Sequence, residues 1–298
     1  MIYGGVLAYV ITPTDEDSGL DLESLMRQVA DLSTRGVSGV TVLGSSGNFA
    51  FLNRRERLQV VQAAVTAAEG RVPVIAGISA VGTREILEHA EDAESAGASG
   101  LLLSTVSYLP LSDAEVLQQS HTVAAATSLP LCLYQNSQTT GYEFPLAVVA
   151  ELSQMPNVVA FKDNAATASI FCERQEALKV LVSARFSHGL SGDLMIAAGT
   201  EATAWHSGPA ALIPELYVNL RAAVVAGDTQ RAASASHVLT ELIKAISALP
   251  KGGVLHSMAR LCGVRTGPPR LPLLPLSSGQ ERHLARALET AGVLRPHS

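Results

Sequence analysis

The stretch Val158-Val159-Ala160-Phe161-Lys162 contains four apolar residues followed by a lysine. Continuous apolar runs of this length are typical of strands that are buried on both faces, as in parallel sheets. Lys162 would then stand at the end of a buried strand, where apolar walls lower the pKa of its amine. A neutral amine can attack a carbonyl carbon and form a Schiff base. The simpler alternative is that Lys162 pairs with Asp163 or another acid at the strand end.

Similar apolar runs recur along the chain, and longer segments with helical periodicity separate them. The eight predicted strands cover residues 6–11, 37–43, 72–78, 100–105, 129–135, 158–162, 186–191 and 203–207. Several intervening segments begin with helix-capping patterns, such as Asn53 with Glu56 and Ser112 with Glu115. Eight strand–helix units predict an α/β protein with a closed (β/α)8 TIM barrel. No Gly-x-Gly-x-x-Gly follows the first strand, which argues against an open dinucleotide-binding sheet.

The pattern becomes purely helical after Gly227. Predicted helices cover residues 229–248, 254–262 and 280–291, and a proline-rich segment at residues 266–275 precedes the last one. We therefore expect a barrel catalytic domain over residues 1–226 and a C-terminal all-helical extension over residues 227–298. The sequence leaves open whether the extension packs on the barrel or mediates assembly.

Composition narrows the class of protein. The 298 residues are 47% hydrophobic and 16% charged, as in a globular enzyme with a large core. The net charge of −6 and the lack of a basic tract argue against nucleic acid or an anionic membrane as a partner. No secretory signal, membrane-length apolar segment or paired cysteine spacing occurs, so we expect a soluble cytoplasmic protein.

In a barrel, catalytic groups lie where strands end and loops begin. The second strand is followed by Gly44-Ser45-Ser46-Gly47-Asn48, whose amides and hydroxyls could bind an anion, although an ordinary turn has the same composition. Tyr108 follows the fourth strand and Tyr134 ends the fifth, so these phenols could move protons near an amine or simply pack.

The eighth strand ends with Trp205-His206-Ser207. His206 could act as an acid, a base or a substrate donor, and it could equally be a hydrogen-bonded structural histidine. The eight histidines show no pair at metal-binding spacing with a supporting carboxylate, so we expect no metal site.

The order of these motifs resembles the dihydrodipicolinate synthase/N-acetylneuraminate lyase family of Schiff-base (class I) aldolases. The resemblance runs nearly from end to end. It rests on the opening strand Gly5-Val6-Leu7-Ala8-Tyr9-Val10-Ile11-Thr12-Pro13-Thr14, the loop Gly44-Ser45-Ser46-Gly47, the strand Pro73-Val74-Ile75-Ala76-Gly77, the spacing of Tyr134 and Lys162, and Arg270-Leu271-Pro272-Leu273.

The resemblance implies that Lys162 forms an imine with pyruvate or another 2-oxo acid, with no organic cofactor or metal. Tyr134 would carry protons at the reacting centre, and Ser45 and Tyr108 would extend the proton relay, Tyr108 within a neighbouring subunit's site. Ser46 and the loop amides, including that of Gly47, would hold the substrate carboxylate. A homo-oligomer, a tetramer or a dimer, is expected.

Two departures from the family pattern bear on the substrate. Asn48 stands where the loop usually has Glu, and Thr139 stands where the synthases have an Arg that binds the second substrate's carboxylate. We expect an aldehyde pocket reshaped around Thr139, His206 and Ser207. This favours an aldolase or dehydratase acting on a sugar-acid-type 2-oxo acid.

Three alternatives remain open. The chain could be a true 4-hydroxy-tetrahydrodipicolinate synthase that joins pyruvate to aspartate semialdehyde. It could be a catalytically impaired barrel that only binds a 2-oxo acid. A metal-dependent (class II) aldolase is the third, although the sequence offers no ligand set for it.

Overall fold

Eight parallel strands close into a barrel in the computed structural model, which describes residues 1–294. In chain order they are β1 (Gly5–Tyr9), β2 (Gly39–Val42), β3 (Val74–Gly77), β4 (Gly100–Ser104), β5 (Leu131–Gln135), β6 (Val158–Asp163), β7 (Ser187–Leu190) and β8 (Ala204–Ser207). Each strand pairs with its neighbours in sequence, and β8 pairs with β1. The predicted TIM barrel is confirmed, and each predicted strand overlaps an observed one.

Helices alternate with the strands and then continue alone. They are α1 (Leu22–Leu32), α2 (Arg54–Ala68), α3 (Thr83–Ser95), α4 (Asp113–Ala125), α5 (Ser137–Thr140), α6 (Leu146–Leu152), α7 (Ala168–Leu181), α8 (Asp193–Ala197), α9 (Pro214–Val225), α10 (Thr229–Ser247), α11 (Lys251–Leu261) and α12 (Ser278–Thr290). Asn53 and Ser112 cap α2 and α4 in complete capping boxes, as predicted. No helix within residues 1–294 is long and apolar enough to cross a membrane.

Apolar side chains fill the barrel below its mouth. Because strand residues alternate between two faces, every second residue points inward. The inward-facing cluster consists of Tyr3, Leu7, Tyr9, Ile75, Leu102, Cys132, Tyr134, Ala160 and Ala204. A larger cluster packs the outer face of the sheet against the surrounding helices. Polar groups at the carboxyl ends of the strands therefore stand on an apolar floor.

The C-terminal helices pack on the barrel, which the sequence left open. One apolar cluster joins Trp205 of β8 and Tyr217 of α9 to Leu239 of α10 and Leu284 of α12. The proposed boundary between residues 226 and 227 falls in the gap between α9 and α10. Residues 295–298 of the predicted extension lie outside the described residues.

Candidate active site

Lys162 and its neighbour Asp163 point to opposite faces of β6. The Asp163 carboxylate is fully buried on the outer side, where it accepts hydrogen bonds from Gln135 (3.1 Å), Arg174 (3.0 Å) and the Nε2 of His188 (3.2 Å). Lys162 points into the barrel and is only 4% exposed. Asp163 is therefore satisfied without Lys162, and no salt bridge within residues 1–294 involves Lys162.

Two tyrosine rings hold the Lys162 amine between them. Its Nζ lies 3.7 Å from the ring centroid of Tyr9 and 3.8 Å from that of Tyr134. Burial lowers the pKa of Lys162, and negative charge on Tyr134, Cys132 or Asp193 opposes that shift. Desolvation thus favours the neutral, nucleophilic amine that imine formation requires. Tyr9 was not among the predicted site residues.

A short amide chain orients the phenol of Tyr134. Asn136 Nδ2 donates to the Tyr134 hydroxyl (3.0 Å), and Asn164 Nδ2 donates to Asn136 Oδ1 (3.1 Å). Because the Tyr134 oxygen is the acceptor, its own O–H can donate toward the amine or a substrate oxygen. Tyr134 lies beside Lys162 across the β5–β6 pairing. The two residues predicted at the centre of the chemistry are therefore brought together.

The loop after β2 has a constrained backbone. Leu43 and Asn48, which bracket it, both adopt left-handed conformations, with φ of 57° and 53°. The side chain of Thr12 donates to the carbonyl of Gly47 (2.7 Å), and the amide of Gly47 donates to Gly44 (3.0 Å). Among residues 1–294, the amides of Ser45 and Ser46 have no such partner, so they remain able to bind an anion.

Asn48 connects this loop to the C-terminal helices. Its Nδ2 donates to the Nε2 of His256 on α11 (3.1 Å), and the Nδ1 of His256 donates to the carbonyl of Gly267 (3.4 Å). Burial lowers the pKa of His256 to about 4, so the imidazole is neutral at physiological pH. A neutral imidazole offers one donor and one acceptor, which matches these two partners.

The remaining predicted residues lie apart from the amine or have other partners. Tyr108 is 92% exposed and therefore makes no packing contact with Lys162 within one chain. Thr139 is exposed on α5, and its hydroxyl donates to the Asn136 carbonyl (3.2 Å). No hydrogen bond within residues 1–294 joins Ser45 or Tyr108 to Tyr134.

The end of β8 holds two buried polar groups. His206 lies inside the barrel, where its Nδ1 is 2.8 Å from the Tyr9 hydroxyl. Ser207 donates to the carboxylate of Asp193, which also accepts from Tyr217 (2.8 Å). Burial raises the pKa of Asp193. In the sequence, Asp193 stands in the segment Ser191-Gly192-Asp193 directly after β7, at a strand end where catalytic groups of barrels are found.

The site contains hydroxyls, amides and one amine rather than clustered metal ligands. Within residues 1–294, no group of three or more His, Cys, Asp and Glu side chains could hold a metal ion. A buried amine beside a phenol and an anion-binding loop is an arrangement suited to covalent chemistry on a carbonyl compound with a carboxylate.

Comparison with known proteins identifies a family. The model of the dihydrodipicolinate synthetase family matches residues 2–291. An uncharacterised DapA-like lyase of Halobacterium salinarum is 32% identical over 292 residues, covering 97% of this chain and 94% of the relative. A dihydrodipicolinate synthase structure from Agrobacterium tumefaciens has a TM-score of 0.92 at 33% identity, covering 97% of this chain and 98% of that one.

A second solved structure contains a bound ligand. Dihydrodipicolinate synthase from Acinetobacter baumannii, crystallised in complex with pyruvate, has a TM-score of 0.90 at 26% identity, and the match covers 99% of this chain and 100% of that one. The family that the order of motifs predicted is confirmed by the match along almost the whole chain. This chain therefore belongs to the dihydrodipicolinate synthetase family and is a class I lyase.

Proposed function

We propose that the protein is a Schiff-base-forming aldolase or dehydratase that acts on pyruvate or a related 2-oxo acid through Lys162. The observation that carries this proposal is the buried Lys162 amine, which forms no salt bridge with an acidic residue within residues 1–294 and lies 3.8 Å from the centroid of the Tyr134 ring. A lysine that only stabilised the fold would be expected to pair with a carboxylate when it is this deeply buried.

The reaction begins when Lys162 Nζ attacks the ketone carbon of the 2-oxo acid. The Tyr134 O–H protonates the resulting alkoxide, and the carbinolamine then loses water to give a protonated imine. This iminium withdraws electrons from the neighbouring carbon. Loss of a proton from that carbon, or cleavage of its C–C bond as the departing fragment becomes a carbonyl compound, gives an enamine. An enamine can in turn expel a hydroxyl group from the next carbon as water, and hydrolysis of the imine returns Lys162 and the product.

The substrate carboxylate is assigned to the loop after β2. Ser45 and Ser46 supply hydroxyls and amides, and Gly47 allows the turn that presents them. Ser46 lies next to the end of β8, because a Cβ added at Gly208 would meet its Oγ at 2.6 Å. The loop therefore lies at the mouth of the barrel, at the same end of the strands as Lys162.

The chemistry of Thr139 favours a sugar-acid-type 2-oxo acid over aspartate semialdehyde. A threonine cannot replace the two-pronged donor that an arginine offers to a second carboxylate. Thr139 is exposed near the mouth, and we assign it to the part of the substrate that lies beyond the reacting carbons, together with the strand end at Ser207.

One observation keeps a 4-hydroxy-tetrahydrodipicolinate synthase as the second candidate. Lys251, at the start of α11, lies 3.4 Å from the side-chain oxygen of Gln138 in the same loop as Thr139. This ammonium could supply the cation that the loop itself lacks. A point charge on a flexible stem would hold a carboxylate less specifically than a guanidinium does.

We also propose that the active form is a homo-oligomer, a dimer or a tetramer. Tyr108 and Leu109 are 92% and 68% exposed beside the barrel mouth, and such apolar exposure is typical of a contact surface. A cytoplasmic location is part of the proposal, because Cys132, Cys172 and Cys262 are all free thiols.

Borohydride trapping tests the proposed function. Incubation with pyruvate and borohydride should add one reduced pyruvyl group to the peptide that contains Lys162, as read by mass spectrometry. Lys179→Ala is the matched control, since Lys179 is an exposed lysine that pairs with Glu176 on the surface. An unmodified Lys162 with pyruvate and with every sugar-derived 2-oxo acid tested would exclude the imine route.

Product formation then separates the candidates. Release of pyruvate from sugar-derived 2-oxo acids would support an aldolase, and loss of water without C–C cleavage would support a dehydratase. Condensation of pyruvate with aspartate semialdehyde would identify the synthase. Trapping of Lys162 without turnover of any of these compounds would indicate a barrel that binds 2-oxo acids but does not catalyse.

A further inference from the structure

A second phenol lies against the reacting nitrogen, on β1. The ring centroid of Tyr9 is 3.7 Å from Lys162 Nζ, slightly closer than that of Tyr134. The mechanism above assigns no role to Tyr9. Tyr9 and His206 are both almost fully buried inside the barrel, and their polar ends meet at 2.8 Å.

The direction of the Tyr9–His206 hydrogen bond follows from protonation. Burial raises the pKa of the Tyr9 phenol, which therefore keeps its proton. Burial and the charge of Lys162 lower the pKa of His206, which is therefore neutral. Tyr9 O–H thus donates to Nδ1, and the ring proton of His206 lies on Nε2. Among residues 1–294, Nε2 has no hydrogen-bond partner.

The backbone of β7 is shaped around the imidazole. A Cβ at Gly189 would lie 2.3 Å from His206 Nε2 and 2.7 Å from its Cδ2, which is too close for any side chain. Gly189 is also the residue that pairs with Lys162 across the β6–β7 register. His206 is therefore seated against β7, the strand that lies between its own strand β8 and the strand β6 of the reacting lysine, rather than on the open surface of the mouth.

We infer that Tyr9 is a further catalytic residue, whose ring face stabilises the positive charge that develops on Lys162 Nζ, and that His206 positions this ring. The inference rests on the proposed imine chemistry. The neutral amine gains little from an aromatic face, whereas the iminium nitrogen is cationic and lies between two such faces. An interaction that strengthens as charge develops favours the charged intermediate over the starting state.

The hydrogen bond to His206 explains why the ring stays in place. A tyrosine ring that packs only by its edges can tilt about its side-chain torsions, and the cation–ring attraction depends on the ring facing the charge. The bond at Nδ1 fixes the direction in which the ring extends from β1, and because a phenol O–H lies in the plane of its ring, it also favours the rotation that points the O–H at Nδ1. His206 would then act through Tyr9, and its contact with the reacting atoms is indirect.

Five variants, one of them a double variant, test this inference by borohydride trapping, read as the pyruvate concentration that gives half-maximal modification of Lys162. Tyr9→Leu removes the ring, and His206→Leu removes the acceptor while keeping an apolar side chain of similar size. We expect each to raise this concentration, Tyr9→Leu by about tenfold. The double variant should resemble Tyr9→Leu alone, because His206 has nothing left to position.

His206→Asn is the matched control, since its side-chain oxygen can accept from Tyr9 near the position of Nδ1. It should stay within about threefold of the wild type, and Tyr9→Phe, which keeps the ring but loses the bond, should behave as His206→Leu does. Thermal unfolding of each variant checks that the fold persists. If a leucine variant does not fold, Tyr9→Phe and His206→Asn still give opposite expectations.

The outcomes separate this inference from the proposed function. If the wild type is trapped and Tyr9→Leu and His206→Leu need no more pyruvate than it does, the inference is overturned while the imine route stands. Additive losses in the double variant, or an equal loss in His206→Asn and His206→Leu, would also overturn the positioning role. A wild type that no 2-oxo acid modifies would instead refute the proposed function.

Discussion

At the scale of single residues, the proposed chemistry depends on one lysine whose surroundings oppose its charge. Lys162 lies at the end of a strand of apolar residues and faces two rings rather than a carboxylate. Asp163, one residue later, accepts hydrogen bonds from Arg174 and His188 on the other face of the sheet. The alternation of strand side chains thus separates a reactive amine from a structural ion pair within two residues.

Replacing this amine should separate activity from stability. We expect Lys162→Met to lower turnover by more than about a thousandfold, because no other amine can form the imine. The free energy of unfolding of this variant should equal that of the wild type or exceed it by about 1 kcal/mol. The reason is that the substitution removes a buried polar group that has no carboxylate partner among the described residues. Chemical denaturation and steady-state assays would measure both. A variant that retains turnover would rule out Lys162 as the nucleophile.

The depressed pKa of Lys162 also predicts how stability depends on pH. The folded protein holds this proton less tightly than the unfolded chain, whose lysine pKa is near 10.5. Neutral Lys162 favours folding. Its contribution to stability is therefore complete above pH 10.5 and is lost as the pH falls through the lower pKa that Lys162 has in the folded protein. The stability of the wild type relative to Lys162→Met should therefore rise toward pH 10.5. A flat difference between the two denaturation series would contradict a shifted pKa.

At the scale of elements, the loop after β2 and helix α11 are joined through Asn48 and His256. Asn48 adopts a left-handed conformation that asparagine tolerates better than most residues, and its amide reaches across to the imidazole. The β–α loop that we propose binds the substrate carboxylate is thereby held by the C-terminal helices. Asn48, which departs from the family pattern, thus has a hydrogen-bond partner in His256.

The buried imidazole makes this link sensitive to acid. The folded pKa of His256 is about 4, below the ordinary 6.5. Its contribution to stability is therefore complete above pH 6.5 and is lost as the pH falls toward 4, by at most about 3 kcal/mol. Denaturant titrations should show this loss in the wild type. His256→Gln keeps a polar side chain without this titration and should lose less over the same interval; equal losses would place the acid sensitivity elsewhere.

Asn48 itself should affect substrate binding more than the chemical step. Asn48→Gly keeps the backbone freedom at this position but removes the bond to His256. We expect the KM for the 2-oxo acid to rise by about three- to tenfold with little change in kcat, because the loop would present its donors less firmly. Asn48→Asp is the companion variant, with the same size and no donor. A change in kcat alone would argue that the loop acts in the chemical step.

At the scale of the whole molecule, one residue of the expected proton relay, Tyr108, is separated from Tyr134 within a single chain. Tyr108 is almost completely exposed, and within residues 1–294 no hydrogen bond links it to Tyr134. The proposed oligomer would place Tyr108 of one subunit beside Lys162 of another. The C-terminal helices share an apolar core with the barrel, so they form part of the same packed body.

Subunit mixing tests this arrangement directly. Lys162→Ala and Tyr108→Ala should each be nearly inactive when pure. If Tyr108 acts across an interface, refolding an equal mixture of the two should restore about a quarter of the wild-type activity, because half of the random dimers are hybrids with one complete site each. Refolding each variant alone is the control. No recovery in the mixture, with oligomers verified by size, would place Tyr108 within its own subunit's site or outside catalysis.

The sequence was sufficient for the barrel, because continuous apolar strands and capped amphipathic helices are local patterns whose alternation permits few architectures. It also predicted the pairing of Lys162 with Tyr134, since both end neighbouring strands. Tyr9 was missed because the sequence does not reveal which alternate residues of a continuously apolar strand face the barrel interior. Only the tertiary structure decided that question, and with it the seating of His206 against Gly189 and the contact of Asn48 with His256. These contacts join residues far apart in the chain, and their geometry depends on how the strands and helices pack rather than on any local propensity.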